Sequence, residues 1–542
     1  MRRALGPIDA ATPFNAAPSA SAAFSTSAAL SANPPKKKGV VAKPAARTGR
    51  TLRLSKNTRT ATARPPAPGE RRALRKRVVL SNTNALEVRG LADLSTQNAS
   101  RLREMGFEGQ VLGLSNDSVD ALRALEAFKA TQGWSLFRRP ASLIRRETVE
   151  LAECMDGVAQ QKHVERRMLF GERGGGKSVL QLQAMAMAYL RGWIVVHFPE
   201  AKAMTIAHEA YRPINSKDGS TAYIQPQYTA RLLGNIAKAN HGVLTHMRLS
   251  KPPELPVPVQ SNISLLRFVE LGAGDAELAW PVWRALLSEL TTPSQEGTEG
   301  LQRPPLFLSM DGVDHAMRHS AYLDTAARPI HAHDLTLIRD FAAHLSGTSP
   351  LPNGGMVLAA SSASTRPSTP TLDHVLARNE AAAYSPTYTT LLSNLHAHIS
   401  ALATAKDVDL SALHTLPSTP STQIPATLLT QLKHLRTHLT SLARQNRSPA
   451  DLLAALAAHA PKLPEWNPYL PLDSRVADCM ASVTVQKVAG LSKAEARGML
   501  EYYAQSGVLR QTVTEGLVGE RWTISGGGVV GELEKAAVKA RF

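Results

Sequence analysis

Between residues 160 and 365, short apolar runs alternate with longer stretches whose apolar residues recur at helical spacing. Arg167–Phe170, GWIVVHFP (192–199), PPLFLSMDGVD (304–314) and GGMVLAASSAS (354–364) each hold a block of large aliphatic side chains between polar or turn-forming residues. Such continuous blocks fit strands covered on both faces of a parallel sheet. Over Ser178–Leu190, the positions Leu180, Ala184, Met187 and Ala188 recur at helical spacing. HDLTLIRDFAAHL (333–345) reads as another helix before the fourth strand. Strand and helix in alternation predict an α/β fold with a parallel sheet over 151–365.

The pattern changes on either side. Residues 78–150 form an N-terminal extension of mixed character. Its FKATQGWSLFRRP segment (128–140) places aromatics beside arginines before a proline, which suits either an RNA-docking strip or a lead-in packed on the domain. Residues 366–425 are rich in Ser, Thr and Pro, with STPT and PSTPST pieces, and read as an insertion with a helix near 388–405. A helical region is expected over 426–474. At the end, SKAEARGMLEYYAQSGVL (492–509) predicts a helix opened by Ser492 and closed at Gly507. RQTVTEGLVGERWTIS (510–525) predicts two short strands around a glycine-containing turn. Helix then hairpin gives a winged-helix-like module over 475–542.

Composition changes this picture at the N-terminus. Of 62 basic residues in the 542-residue chain, 17 lie in residues 1–77, against two acids, Asp9 and Glu70. The remainder has 45 basic residues and 42 acids, so the net charge of +18 belongs mainly to an N-terminal arm. Residues 1–35 are rich in Ala and Ser, carry Arg2 and Arg3, and lack a continuous apolar core, as expected of a mitochondrial transit peptide and a matrix location. Residues 36–77 hold 15 basic residues and one acid, too few large apolar groups to fold alone, and read as a disordered basic arm for a phosphate backbone. No apolar run approaches the ~18–20 residues that span a bilayer, which predicts a soluble chain without a membrane partner. Cys154 and Cys479 are far apart and not paired with histidines at ligand spacing, which disfavours a disulfide framework or a zinc ribbon.

The chemistry concentrates in one loop. Gly171, Glu172, Arg173, Gly174, Gly175, Gly176, Lys177 and Ser178 match G-x-x-x-x-G-K-[ST] without exception, and Val179 continues into the helix. Glycines let successive amide N–H groups turn toward a phosphate, and the helix N-terminus adds partial positive charge. Lys177 is placed for the terminal phosphates, and the Ser178 hydroxyl for Mg2+. Asp311, ending the LFLSMD strand, is the expected second Mg2+ residue, acting through water.

The parts for turnover are weaker. Many ring ATPases carry a glutamate directly after this aspartate to polarise water, whereas here the next residue is Gly312. Asp314 substitutes only if its turn aims it inward. No NKxD box and no arginine finger are identifiable, and the serines of ASSAS (360–364) fit a polar sensor or a plain turn equally well. His315 and His319, four apart on an expected helix, lack a carboxylate or cysteine at ligand spacing and do not suggest a metal site.

LFGERGGGKSVLQLQ (169–183), RGWIVVHFPEA (191–201), AYIQPQYTARLLGNIAKAN (222–240), LFLSMDGVDHAM (306–317) and HDLTLIRDFAAHL with NGGMVLAASS together resemble the death-associated protein three family of GTP-binding small-subunit mitochondrial ribosomal proteins. The TQGWSLFRRP lead-in is similar to fungal members. The resemblance implies an AAA-like P-loop NTPase domain, bound GTP or GDP with Mg2+, and a place in the small-subunit head near the large subunit. Mitochondrial small-subunit rRNA and neighbouring ribosomal proteins are the implied partners. The resulting expectation is a structural ribosomal component that holds a guanine nucleotide with little or no turnover and contributes to mitochondrial translation. An active AAA-like P-loop NTPase in assembly or remodelling, and an RNA-binding adaptor with an empty loop, remain open on the residues alone.

Overall fold

A computed structural model of the protein describes residues 78–215, 221–382 and 464–538, apart from positions 254, 261, 296 and 299, together with residue 441. The expected transit peptide, the basic arm, the insertion beyond 382 and the helical region up to 463 lie outside these residues.

Twelve strands are described: β1 Asp93–Leu94, β2 Val111–Leu114, β3 Ala141–Leu143, β4 Val164–Phe170, β5 Ile194–Phe198, β6 Arg212–Asn215, β7 Thr221–Ile224, β8 Leu306–Asp311, β9 His319–Leu323, β10 Pro329–His331, β11 Gly355–Ala360 and β12 Thr484–Lys487. Five of them form the central sheet in the order β12-β4-β11-β8-β5, and every pairing in it is parallel. β5, β8 and β11 are buried along their whole length. The continuous aliphatic blocks arise because both faces of these strands are covered.

The period-2 alternation divides each strand between two cores. Ile194, Val196 and Phe198 of β5, Leu306, Leu308 and Met310 of β8, and Val357 and Ala359 of β11 face helices Pro226–Ala239, Leu265–Gly274, Ala276–Leu290 and Thr336–Ser346. Val195, Phe307, Met356, Leu358 and Ala360 join the opposite core with helices Lys177–Leu190, Arg146–Gln161 and Asn116–Ala124. Lys177–Leu190 is buried continuously from Leu180 to Ala188, because sheet and helices enclose it; Ala184, Ala186 and Ala188 allow that close approach.

The N-terminal extension is thus a structural layer over the sheet. It contributes the small sheet β1-β2-β3, with β1 parallel and β3 antiparallel to β2. The aromatics of its FKATQGWSLFRRP segment are packed on the domain, as the lead-in reading expects. Phe128 and Trp134 are buried edge to face with ring centroids 5.1 Å apart. Phe137 inserts among Tyr502 and Tyr503 of the C-terminal helices, and Arg139 pairs with Asp93 at 2.6 Å.

The C-terminal region departs from the expected hairpin. Helix Lys493–Gln505 forms where predicted, with Ser492 and Glu495 closing a reciprocal cap. The strands expected over 510–525 are instead helix Glu515–Ile524, followed by helix Val530–Val538, so among the described residues no wing follows the helix. Thr, Val, Trp and Ile favour strands only weakly. Here the Thr514 side chain accepts from Leu517 N, Val518 is buried in a small C-terminal core, and Trp522 Nε1 donates to Leu491 O at 2.7 Å. Gly526, Gly527 and Gly528, all at positive φ, turn the chain between the two helices.

The helix expected to carry His315 and His319 is likewise replaced. His315 ends a single 3-10 turn, Val313–His315, and His319 begins β9. Gly312, at φ +70°, breaks helical continuation directly after β8. Among the described residues no helix is long and apolar enough to cross a membrane.

Candidate functional site

The register of the central sheet decides where the loop lies. Ala360 of β11 is level with Leu169 of β4 on one side and with Asp311 of β8 on the other. The loop leaving β4 and the end of β8 therefore flank the carboxyl end of β11, the edge at which open α/β sheets take their ligands. Gly171 turns the chain at φ +146°, and a Cβ there would lie 2.5 Å from Val488 O, so only glycine fits. Gly175 N donates to Glu172 O, and Val179 N and Leu180 N donate to Gly176 O as the helix begins.

The side chains predicted from the motif converge. Lys177 is buried, and its Nζ donates to the carbonyls of Gly171 at 2.9 Å and Glu172 at 2.8 Å. Burial pushes its pKa down, while Asp311 pulls the other way. The Ser178 hydroxyl donates to Asp311 Oδ2 at 2.8 Å. These are hard oxygen donors of the kind Mg2+ takes, and they fit it. Among the described residues no group of three or more His, Cys, Asp or Glu could hold a metal, so a cation here would depend on phosphate oxygens for further ligands.

Four distant segments close around the loop. Lys129, from the extension, ion-pairs with Asp311. Arg145, 5% exposed, donates from Nη1 to Gly175 O at 2.7 Å and from Nη2 to Ala489 O at 2.6 Å. Val488 O faces Gly171, as described above. Gly531 N donates to Gly174 O at 2.9 Å, so the last described helix touches the loop backbone directly. The cleft lined by Lys129, Arg145, Gly174–Ser178, Asp311 and Gly531 has a volume of about 2710 Å3, beyond the ~300–1,000 Å3 of ordinary small-ligand sites.

Asp314, near enough to act on the Lys177 charge, is engaged by other partners. It is fully buried, accepts from Ser362 N at 2.6 Å and pairs with Arg366 at 3.2 Å. Burial raises its pKa against these partners. Its turn therefore ties β8 to the residues after β11. Beneath the loop, Gln181 Nε2 donates to Ser309 Oγ at 2.6 Å, and Ser309 Oγ lies 3.2 Å from His197 Nδ1. Burial pushes the His197 pKa down to about 4, so that imidazole is neutral near pH 7.

The structure thus brings together Gly171–Ser178 and Asp311. Sequence reasoning missed Lys129, Arg145, Arg366 and Gly531. A hydrophobic pattern carries no signal for contacts such as Arg145 to Ala489, which lie 344 positions apart. The aromatic and basic character of 128–140 did mark the segment holding Lys129, without showing its target.

A family model described as "Mitochondrial ribosomal death-associated protein 3" matches residues 142–419 and 427–536. The chain is also 35% identical over 491 residues to the small ribosomal subunit protein mS29 of Neurospora crassa, covering 90% of this chain and 86% of that protein.

Proposed function

The chain belongs to the mitochondrial ribosomal death-associated protein 3 family, and from that premise we propose that it is a structural component of the mitochondrial ribosome small subunit that seats a guanine nucleotide and turns it over slowly or not at all. The relative's name supports the assembly. The basic arm 36–77 supplies charge for small-subunit rRNA, and neighbouring small-subunit proteins and the large-subunit face are the remaining partners, in the mitochondrial matrix. Through that place the protein contributes to translation.

One observation carries the nucleotide part. The loop that would hold the phosphates is also where Arg145, Val488 and Gly531 meet, so a ligand there braces segments from both ends of the fold. In this reading the loop amides from Gly171 to Ser178 wrap the phosphates, apart from that of Gly175, which donates to Glu172 O, and Lys177 exchanges its carbonyl partners for phosphate oxygens. Ser178 and Asp311 are the residues that would hold Mg2+, which would supply neutralisation of phosphate charge. The AAA-like P-loop assignment is supported by the all-parallel sheet and by loop and aspartate flanking β11. Slow turnover is supported by Asp314, which is held by Ser362 and Arg366 and is not free to polarise water.

Extraction of nucleotide from the native particle, followed by identification of the base, tests this reading. Guanine nucleotide at near-stoichiometric amount on particles sedimenting as small subunits is expected. Lys177→Ala should abolish the thermal stabilisation that added GDP gives the purified chain, a gain expected to be about 2.7 kcal/mol at a hundredfold excess over Kd. A fast, Lys177-dependent release of phosphate would instead favour the active NTPase.

A further inference from the structure

The nucleotide seat leaves one charged group without a role. Lys129 lies outside the loop motif and outside the span matched by the family model, yet its ammonium pairs with the same Asp311 Oδ2 that accepts from Ser178. That oxygen belongs to a carboxylate with 5% side-chain exposure, whereas Lys129 is 33% exposed and reaches it from the cleft. The lysine is aimed by its own segment. Glu126, at φ +56°, reverses the chain after helix Asn116–Ala124, and Phe128 is buried. Lys129 N donates to Gln132 Oε1 at 2.9 Å, and the same oxygen accepts from Trp134 Nε1 at 2.5 Å. A buried carboxylate beside a phosphate loop would repel an incoming polyphosphate unless a cation offsets it. His197, neutral beneath it, does not supply that charge.

We propose that Lys129 is a cation built into this site from the N-terminal extension, so that a nucleoside diphosphate binds with little dependence on Mg2+. The ammonium offsets Asp311 whether or not Mg2+ occupies the place between Ser178 and Asp311. The inference rests on the nucleotide reading given above.

The test is titration of the purified full-length chain with a fluorescent GDP, in millimolar Mg2+ and in excess EDTA. Wild-type affinity should differ by less than about threefold between the two. Lys129→Met should lose about tenfold or more in EDTA and recover in Mg2+, consistent with loss of one close charge interaction. Lys129→Arg, which keeps the cation, should retain wild-type behaviour in EDTA. If the wild type itself loses tenfold in EDTA, or if Lys129→Met is impaired equally in both conditions, the lysine is not the built-in cation, and the nucleotide seat stands without it. If no GDP binds in either condition, the seat and this inference fall together.

Discussion

The two walls of the cleft are made differently. One wall is local. Gly171–Ser178 and Asp311 lie at the carboxyl ends of β4 and β8, placed by neighbouring strands in register. The other wall is assembled from Lys129, Arg145 and Val530 with Gly531, while Val488 and Ala489 contact Gly171 and Arg145 outside the cleft lining. The first has the residue types that phosphate chemistry requires. The second adds two cations, Lys129 on Asp311 and Arg145 on Gly175 O, and otherwise meets the first through backbone. The glycines that would let a phosphate approach also let Val488 O and Gly531 approach, so the same small residues serve ligand and fold. The Asp311 and Asp314 pair repeats this contrast within three residues. One carboxylate meets Ser178 and Lys129, and the other is absorbed into Ser362 and Arg366.

The largest expected effect comes from breaking the contact between the walls. Gly171→Ala puts a Cβ against Val488 O in a conformation reserved for glycine, and should cost about 3 kcal/mol or more. Denaturant unfolding of the nucleotide-free chain measures it. A cost below about 1 kcal/mol would show that the second wall yields freely.

Arg145→Met should come next, at about 2 kcal/mol. It leaves Gly175 O and Ala489 O without their buried donor while keeping much of the side-chain volume. Limited proteolysis should then cut first between 491 and 538, the segment that Arg145 ties to the loop. Unchanged protection there would separate the two walls energetically.

The third expectation tests the support beneath the first wall and depends on pH. The folded-state pKa of His197, about 4, lies below its ordinary 6.5, so between these values the unfolded chain binds more protons. The stability tied to neutral His197 is present above about pH 6.5 and is lost as pH falls toward 4. Between pH 7 and pH 5 that loss is about 2 kcal/mol. The penalty of His197→Asn, measured by urea unfolding, should therefore shrink by about this amount over the same interval. An equal penalty at both pH values would contradict a neutral buried imidazole.

Legibility in the sequence follows the same division. The strands at Ile194–Phe198, Leu306–Asp311 and Gly355–Ala360, and the helix at Lys177–Leu190, lie within or next to the segments their patterns marked. Each is a local run whose burial shows in its own side chains. Ser492 marked its helix because a cap is also local. Residues 510–525 were misread as strands because weak strand propensities were all the local sequence offered. Val518 and Trp522 become helical through packing on Leu491 and its neighbours, which no window of that segment contains.

The sequence by itself determined the parallel α/β framework, the phosphate-type loop, the aspartate at the end of β8 and the concentration of positive charge in residues 1–77. Those features depend on residue type and short-range spacing, which a linear chain displays directly. Only the tertiary structure decided that Lys129 faces Asp311, that Arg145 and Gly531 close on the loop, and that Asp314 pairs with Ser362 and Arg366. These contacts join positions tens to hundreds of residues apart, and their energy comes from burial and pairing that exist only once the layers have packed.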